Sequence, residues 1–257
     1  MNRLTKAAAA APAMSLIALM TLAGPASAAD GSTQAQLQAL NESGASGSAM
    51  VTVSGNMLTV KLASQGLLAD QPHAAHIHFT AEARHECPIA KDDANGDGNI
   101  NTTEGDPAYG EVVVSLTKTG DTSADSVLAI NRFDTAPGGT INYERGSIQV
   151  NDDVAQAVVD GEAVVVVHGV DYNDSGKYDG KTKSDLDPKL PTEATDPALC
   201  GTLNISQMGS TPTGGAETGS GSTTGVENEG IIALGGVTLL GGLALAMRRR
   251  FVSSNIS

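Results

Sequence analysis

Apolar and polar residues alternate through most of the body of this chain. Ser48–Val53 and Met57–Ala63 place apolar side chains at every second position and flank Ser54-Gly55-Asn56, which predicts an antiparallel hairpin with one buried face. The same period, or a short unbroken apolar run, recurs at Ala74–Thr80, Gly110–Leu116, Ser126–Arg132, Thr140–Glu144, Ala163–Val170 and Leu199–Ile205. A long irregular insert separates the third of these eight segments from the fourth. Helical periodicity is confined to Ala35–Asn41 and Asp153–Val158, both short. Short strands without helical crossovers predict an all-β domain, either a sandwich or a closed barrel.

The two ends follow other patterns. Arg3 and Lys6 precede an apolar segment over 7–23, and Ala26-Ser27-Ala28 has the small residues of a signal-peptidase site, so 1–28 reads as a signal peptide cleaved before Ala29. Residues 230–247 carry no charge, about 27 Å as a helix and barely enough for a hydrocarbon core. Arg248, Arg249 and Arg250 follow at once, which predicts a transmembrane segment with 248–257 as a cytoplasmic tail. Between them, 209–229 is rich in Gly, Ser and Thr and reads as a flexible stalk. Its Thr218-Gly219 looks like a degenerate sortase signal lacking the Leu-Pro start, and an ordinary linker explains it equally well. The expected organisation is an exported β-domain, 29–208, held at the cell surface by the membrane segment or by the cell wall.

Charge narrows the function. Outside the signal and the arginine tail, ten basic residues face all 29 acidic ones, a net of −19. That field argues against nucleic acid as a partner and for affinity towards cations. With 3% aromatic residues and no Trp, an aromatic platform for carbohydrate has nothing to be built from. No G-x-S-x-G or H-E-x-x-H sequence is present, and the Gly-rich segments lack the strand-to-helix context of a phosphate loop.

The most specific chemistry lies in His73-Ala74-Ala75-His76-Ile77-His78. On a strand His76 and His78 share a face, roughly 7 Å apart, so both imidazoles can reach one metal ion. The apolar run Ala163–Val167 ends at His168, a buried strand able to deliver a third nitrogen. Three imidazoles suit copper or zinc. Cys87 and Cys200 are the only cysteines; in an exported chain such a pair forms a disulfide, with two thiol metal ligands as the alternative.

The insert holds a second candidate. Residues 93–104 match the twelve-residue calcium loop at its diagnostic positions. Asp93, Asn95 and Asp97 offer side-chain oxygens, Asn99 its carbonyl, Asn101 a direct or water-mediated contact and Glu104 a bidentate carboxylate, while Gly98 permits the turn. Without long flanking helices, the loop reads as a structural clip. Asp171–Asp179 starts in the same way but has Thr182 at its twelfth position; turn chemistry accounts for it, with Asp185 a candidate late ligand if it binds calcium.

The order of these residues resembles the copper/zinc superoxide dismutase family: HAAHIH, Cys87 nine residues after His78, VVVVH ending at His168, and Leu199-Cys200-Gly201 near the end of the domain. The resemblance implies an eight-stranded Greek-key barrel, here with an inserted calcium loop. It also implies copper on His76, His78 and His168, a structural role for His73, a Cys87–Cys200 bridge and superoxide dismutation. His85 is a further residue expected beside the ligands, and Glu82 or Glu86 a proton relay. HAAHIH also looks like the CHRD domain, a family of exported β-domains, which implies a non-catalytic binding or structural module. Together the resemblances cover most of 47–206. Two departures from the dismutases stand out. No histidine lies between His85 and His168, so their bridging histidine and zinc ligands are missing, and Pro197 stands where their active-site arginine is expected.

Overall fold

The alternating segments become strands of one antiparallel sheet in the computed structural model, which describes residues 29–205. Nine strands are present among the described residues: β1 (Asp30–Ala39), β2 (Ser46–Ser54), β3 (Met57–Gln65), β4 (Ala75–His78), β5 (Val112–Ser115), β6 (Ile141–Gln149), β7 (Val164–His168), β8 (Pro197–Thr202) and β9 (Asn204–Ile205). They run in the order β5-β4-β7-β8-β1-β2-β3-β6, with β9 added to β1, and curl into a half-barrel. Two short helices, α1 (Thr102–Tyr109) and α2 (Asp152–Asp160), accompany them. The domain is all-β, as the alternation predicts.

Burial follows the two-residue period. In β3, Leu58, Val60 and Leu62 point into the core while Met57, Thr59 and Lys61 face outward. β7 differs because it is covered on both sides. Val165 and Val167 enter the main core, and Val164 and Val166 pack with Tyr109 and Cys200 in a second cluster. A strand buried on both faces needs no polar partner residues, hence its unbroken valines.

Two expected elements take other forms. Ala35–Asn41, expected as a helix, belongs largely to β1, where Thr33, Ala35 and Leu37 are buried at alternate positions and pair with Val51, Ala49 and Gly47 of β2. Ala, Leu and Gln favour a helix locally, but a ready strand partner decides the outcome. Ser126–Arg132, expected as a strand, contains parts of two 3₁₀ turns, Ala124–Ser126 and Ile130–Arg132. Asp121 accepts from the Ser123 and Ser126 hydroxyls, and this local bonding competes with a ladder. The helix at Asp152–Asp160 agrees with expectation; Asn151 caps it by accepting from Val154 N–H, and Gly161 (φ 80°) ends it.

β5 and β6 stand at the two ends of the strand order. Side chains bridge the gap: Arg145 of β6 donates to the carbonyls of Thr117 and Gly120, just past β5, and the Tyr143 hydroxyl also donates to Thr117. Cys87 and Cys200 form the disulfide, linking the insert to β8. Among the described residues no helix is long and apolar enough to cross a membrane. The expected signal peptide (1–28), stalk (209–229, with Thr218), membrane segment (230–247) and tail (248–257) lie outside the described residues.

Candidate metal centre

Register brings the three histidines together. β4 pairs with β7 so that His76 lies opposite Val166 and His78 opposite Val164. Opposed residues in an antiparallel pair share a face, and Val164, Val166 and His168 share one by alternation, so all three imidazoles project to the same side. One nitrogen from each lies within 4.8 Å of the others. All three residues are buried.

Backbone carbonyls set the tautomers. His78 Nδ1–H donates to Gly110 (2.8 Å), His168 Nδ1–H to Thr195 (2.6 Å) and His76 Nε2–H to Val127 (3.2 Å). Each bond holds a proton on the outer nitrogen and leaves a lone pair on the inner one. The inner atoms, His76 Nδ1, His78 Nε2 and His168 Nε2, are buried without any hydrogen-bond partner. The rings are also held by aromatic edges: Tyr109 lies 4.5 Å from His78 and Phe133 5.4 Å from His76, centroid to centroid.

Burial keeps these imidazoles neutral. It pushes His78 down to about 3 and His168 to about 4, and the His168 ring adds to the effect on His78. His76 falls well below the usual imidazole value, through burial and then the neighbouring His168 and His78. Three converging lone pairs with no donor between them cost on the order of 1–3 kcal/mol each in a dry interior. A cation removes that cost. The donor set is all nitrogen, which suits copper or zinc and not the oxygen-seeking calcium or magnesium.

The remaining candidates lie around this centre or away from it. His73 faces two carbonyls, His168 (2.8 Å, Nδ1) and Leu68 (3.0 Å, Nε2), and so ties the end of β7 to the 68–73 segment. His85 is outside the triad: its Nε2 bonds Thr80 and its ring stacks on Phe79. Glu86 pairs with Arg84, and Glu82 is exposed. Pro197 is buried and pairs with His168 in the β7–β8 ladder, so no guanidinium occupies that position.

The insert folds around its acids. Asp93 accepts from the N–H groups of Gly96, Asp97 and Gly98, Asn95 from Asp97, and Asp97 from Asn99. Glu104 returns to accept from Ala94, Asn95 and Asn101, and Asn101 caps α1 by accepting from Glu104 N–H. The inner side of the loop is pinned by Ile100, whose N–H and carbonyl both bond the Asn41 amide. In the second acidic stretch Asp171 accepts from Ser175 and Gly176. The Asp185 carboxylate accepts from the N–H and hydroxyl of Thr103, at the start of α1.

Residues 27–176 match the CHRD domain family. The chain belongs to that family. No curated protein matches it, and nothing in these comparisons supports membership of the superoxide dismutase family. The CHRD match includes the three histidines and the acidic insert, and ends before Thr195 and Cys200. Sequence reasoning placed the triad but not its supports. Val127, Gly110 and Thr195 act through backbone carbonyls, which carry no residue signature.

Proposed function

We propose that this CHRD domain is a metal-holding module of the cell surface that binds one copper ion on His76, His78 and His168 and does not turn over a substrate. The observation that carries the reading is the trio of buried inner nitrogens with no partner. When bound, copper would supply a redox-capable centre. The chain's own part is to fix each tautomer through a carbonyl and to exclude water. The domain is read as exported and anchored, on the basis of 1–28 and 230–250, with the loop from Asp93 to Glu104 taking calcium as a clip.

The strand order, with β1 beside β8 and β4 beside β7, supports reading the half-barrel as a Greek-key barrel of the superoxide dismutase type. Dismutation itself gains less support. The net charge of −19 outside the signal and the arginine tail repels an anionic substrate, and Pro197 supplies no charge to guide it. The test is metal analysis of the purified protein beside its superoxide consumption. One copper per chain, lost in His76→Ala and in His168→Ala, with no dismutation above that of buffer, is the expected result. Rapid turnover would replace this reading with the enzymatic one, and no retained metal would end both.

A further inference from the structure

The inner nitrogens of the triad, His76 Nδ1, His78 Nε2 and His168 Nε2, are closed off from solvent and face one another. Among the described residues no carboxylate or thiolate joins them within 4.8 Å. Cys87 and Cys200 are tied up in the disulfide. The Tyr109 ring lies against His78, but burial pushes its phenol up and the hydroxyl donates to the Thr102 carbonyl (3.0 Å), so it offers no anion. Asp185, an acid whose field reaches His168, is exposed, and its carboxylate accepts from Thr103.

An ion held here gives up its hydration shell for three neutral donors, with no negative charge beside it. The cost of such a transfer grows with the square of the charge, so a dication loses about four times what a monocation loses. Ligand number acts in the same direction. Zinc(II) takes four ligands, completing a set of three with water, and copper(II) prefers a tetragonal set. Copper(I) is a filled-shell monocation for which three ligands suffice. The count of three is held rigidly, because each outer nitrogen is fixed to a carbonyl and the Tyr109 and Phe133 rings wall the imidazoles. One nearby hydroxyl is free. Ser115 lies opposite His76 in the β4–β5 ladder, on the same face, and its Oγ is buried without a partner. It stands on the β5 side of β4, whereas the His168 ring approaches His76 from the β7 side, and this keeps it out of the donor set.

From this we infer that the centre selects its ion by valence, holding copper(I) in preference to copper(II) and zinc(II). The inference rests on the metal-holding reading and names the ion that the site takes. An ion held in one valence has no second state to cycle through, in keeping with a module that turns nothing over.

The full-length protein is titrated with copper(I) under argon against bicinchoninate, and with copper(II) and zinc(II) against nitrilotriacetate. Calcium is kept in excess so that surface carboxylates are not counted, and electron paramagnetic resonance reports any copper(II) on the imidazoles. The expected result is one copper(I) per chain, bound about a hundredfold or more tightly than either dication. For copper(II) that ratio places the bound couple about 120 mV above the free ion, at about 59 mV per tenfold. Ser115→Ala, a small change at a buried position, should leave the ratio as it is in the wild type. A smaller preference over either dication overturns the selection by valence and leaves the metal site standing. A ratio altered by Ser115→Ala does the same, since it makes that hydroxyl a fourth ligand. If none of the three ions is retained, the metal-holding reading falls and this inference with it.

Discussion

The hydroxyl of Thr102 donates to the carbonyl oxygen of Thr195, and that same oxygen accepts the Nδ1–H of His168. At the other end of α1, Gly110 provides the carbonyl that orients His78. One eight-residue helix therefore touches the supports of two of the three imidazoles. Thr102→Val removes a single hydrogen bond, worth about 1 kcal/mol, and should weaken copper binding about fivefold. Thr102→Ser should restore it. Competition titration against a chelator measures both; equal affinity in all three proteins would show that the helix does not position the ligands.

α1 begins inside the acidic loop, so the loop's own ligand should be felt at a distance. Calcium at a hundredfold over its dissociation constant should stabilise the protein by about 2.7 kcal/mol. Glu104→Gln should abolish most of this gain, since its carboxylate closes the loop onto Ala94, Asn95 and Asn101. Melting by calorimetry with calcium and with a chelator checks it. Identical midpoints would refute a calcium site here.

Acid should destabilise the metal-free protein. The imidazoles of His78 and His168 are held at about 3 and about 4, below the ordinary 6.5, so the unfolded chain takes up protons that the folded one refuses. Their contribution is fully present above pH 6.5 and is lost as pH falls towards these values, by about 2 kcal/mol per imidazole at pH 5. Asp196 works the other way: burial pushes it up to about 7, so its contribution is present at low pH and lost as pH rises through 7. With His76 shifted in the same sense as the other two, imidazoles outnumber the carboxyl. Thermal melts should fall from pH 7 to pH 5. Copper affinity should stay flat over that interval, because protons do not compete for nitrogens that are already neutral.

Reduction of the disulfide should be costly. The bridge joins residues 113 apart, and the chain-entropy account gives on the order of 4–5 kcal/mol for a loop of that length. Urea unfolding with and without reductant tests this. A Cys87→Ser, Cys200→Ser double variant should match the reduced protein.

Much of the site was legible because strand periodicity is simple. The H-x-H spacing, with a valine run ending in His168, was enough to place three imidazoles on one face, and the register of β4 against β7 agrees. Elements that depend on distant partners were less legible. Ala35–Asn41 has helix-forming composition and becomes part of β1 only because β2 is there to pair with it. Ser126–Arg132 has the apolar content of a strand, yet the Asp121 carboxylate gathers its start into turns. The carbonyls that orient the imidazoles left no trace in residue type, and α1 was hidden behind the loop that starts it.

Arg145 reaches from β6 to the carbonyls of Thr117 and Gly120, beyond the end of β5. No ladder joins the outermost strands, so this half-barrel resembles a book whose covers, β5 and β6, are held shut by a side-chain clasp. Its spine is β8, midway in the strand order and bonded through Cys200 to Cys87. Pulling or partial denaturation should open the covers first and expose two strand edges, while the pages bearing the histidines stay bound at the spine.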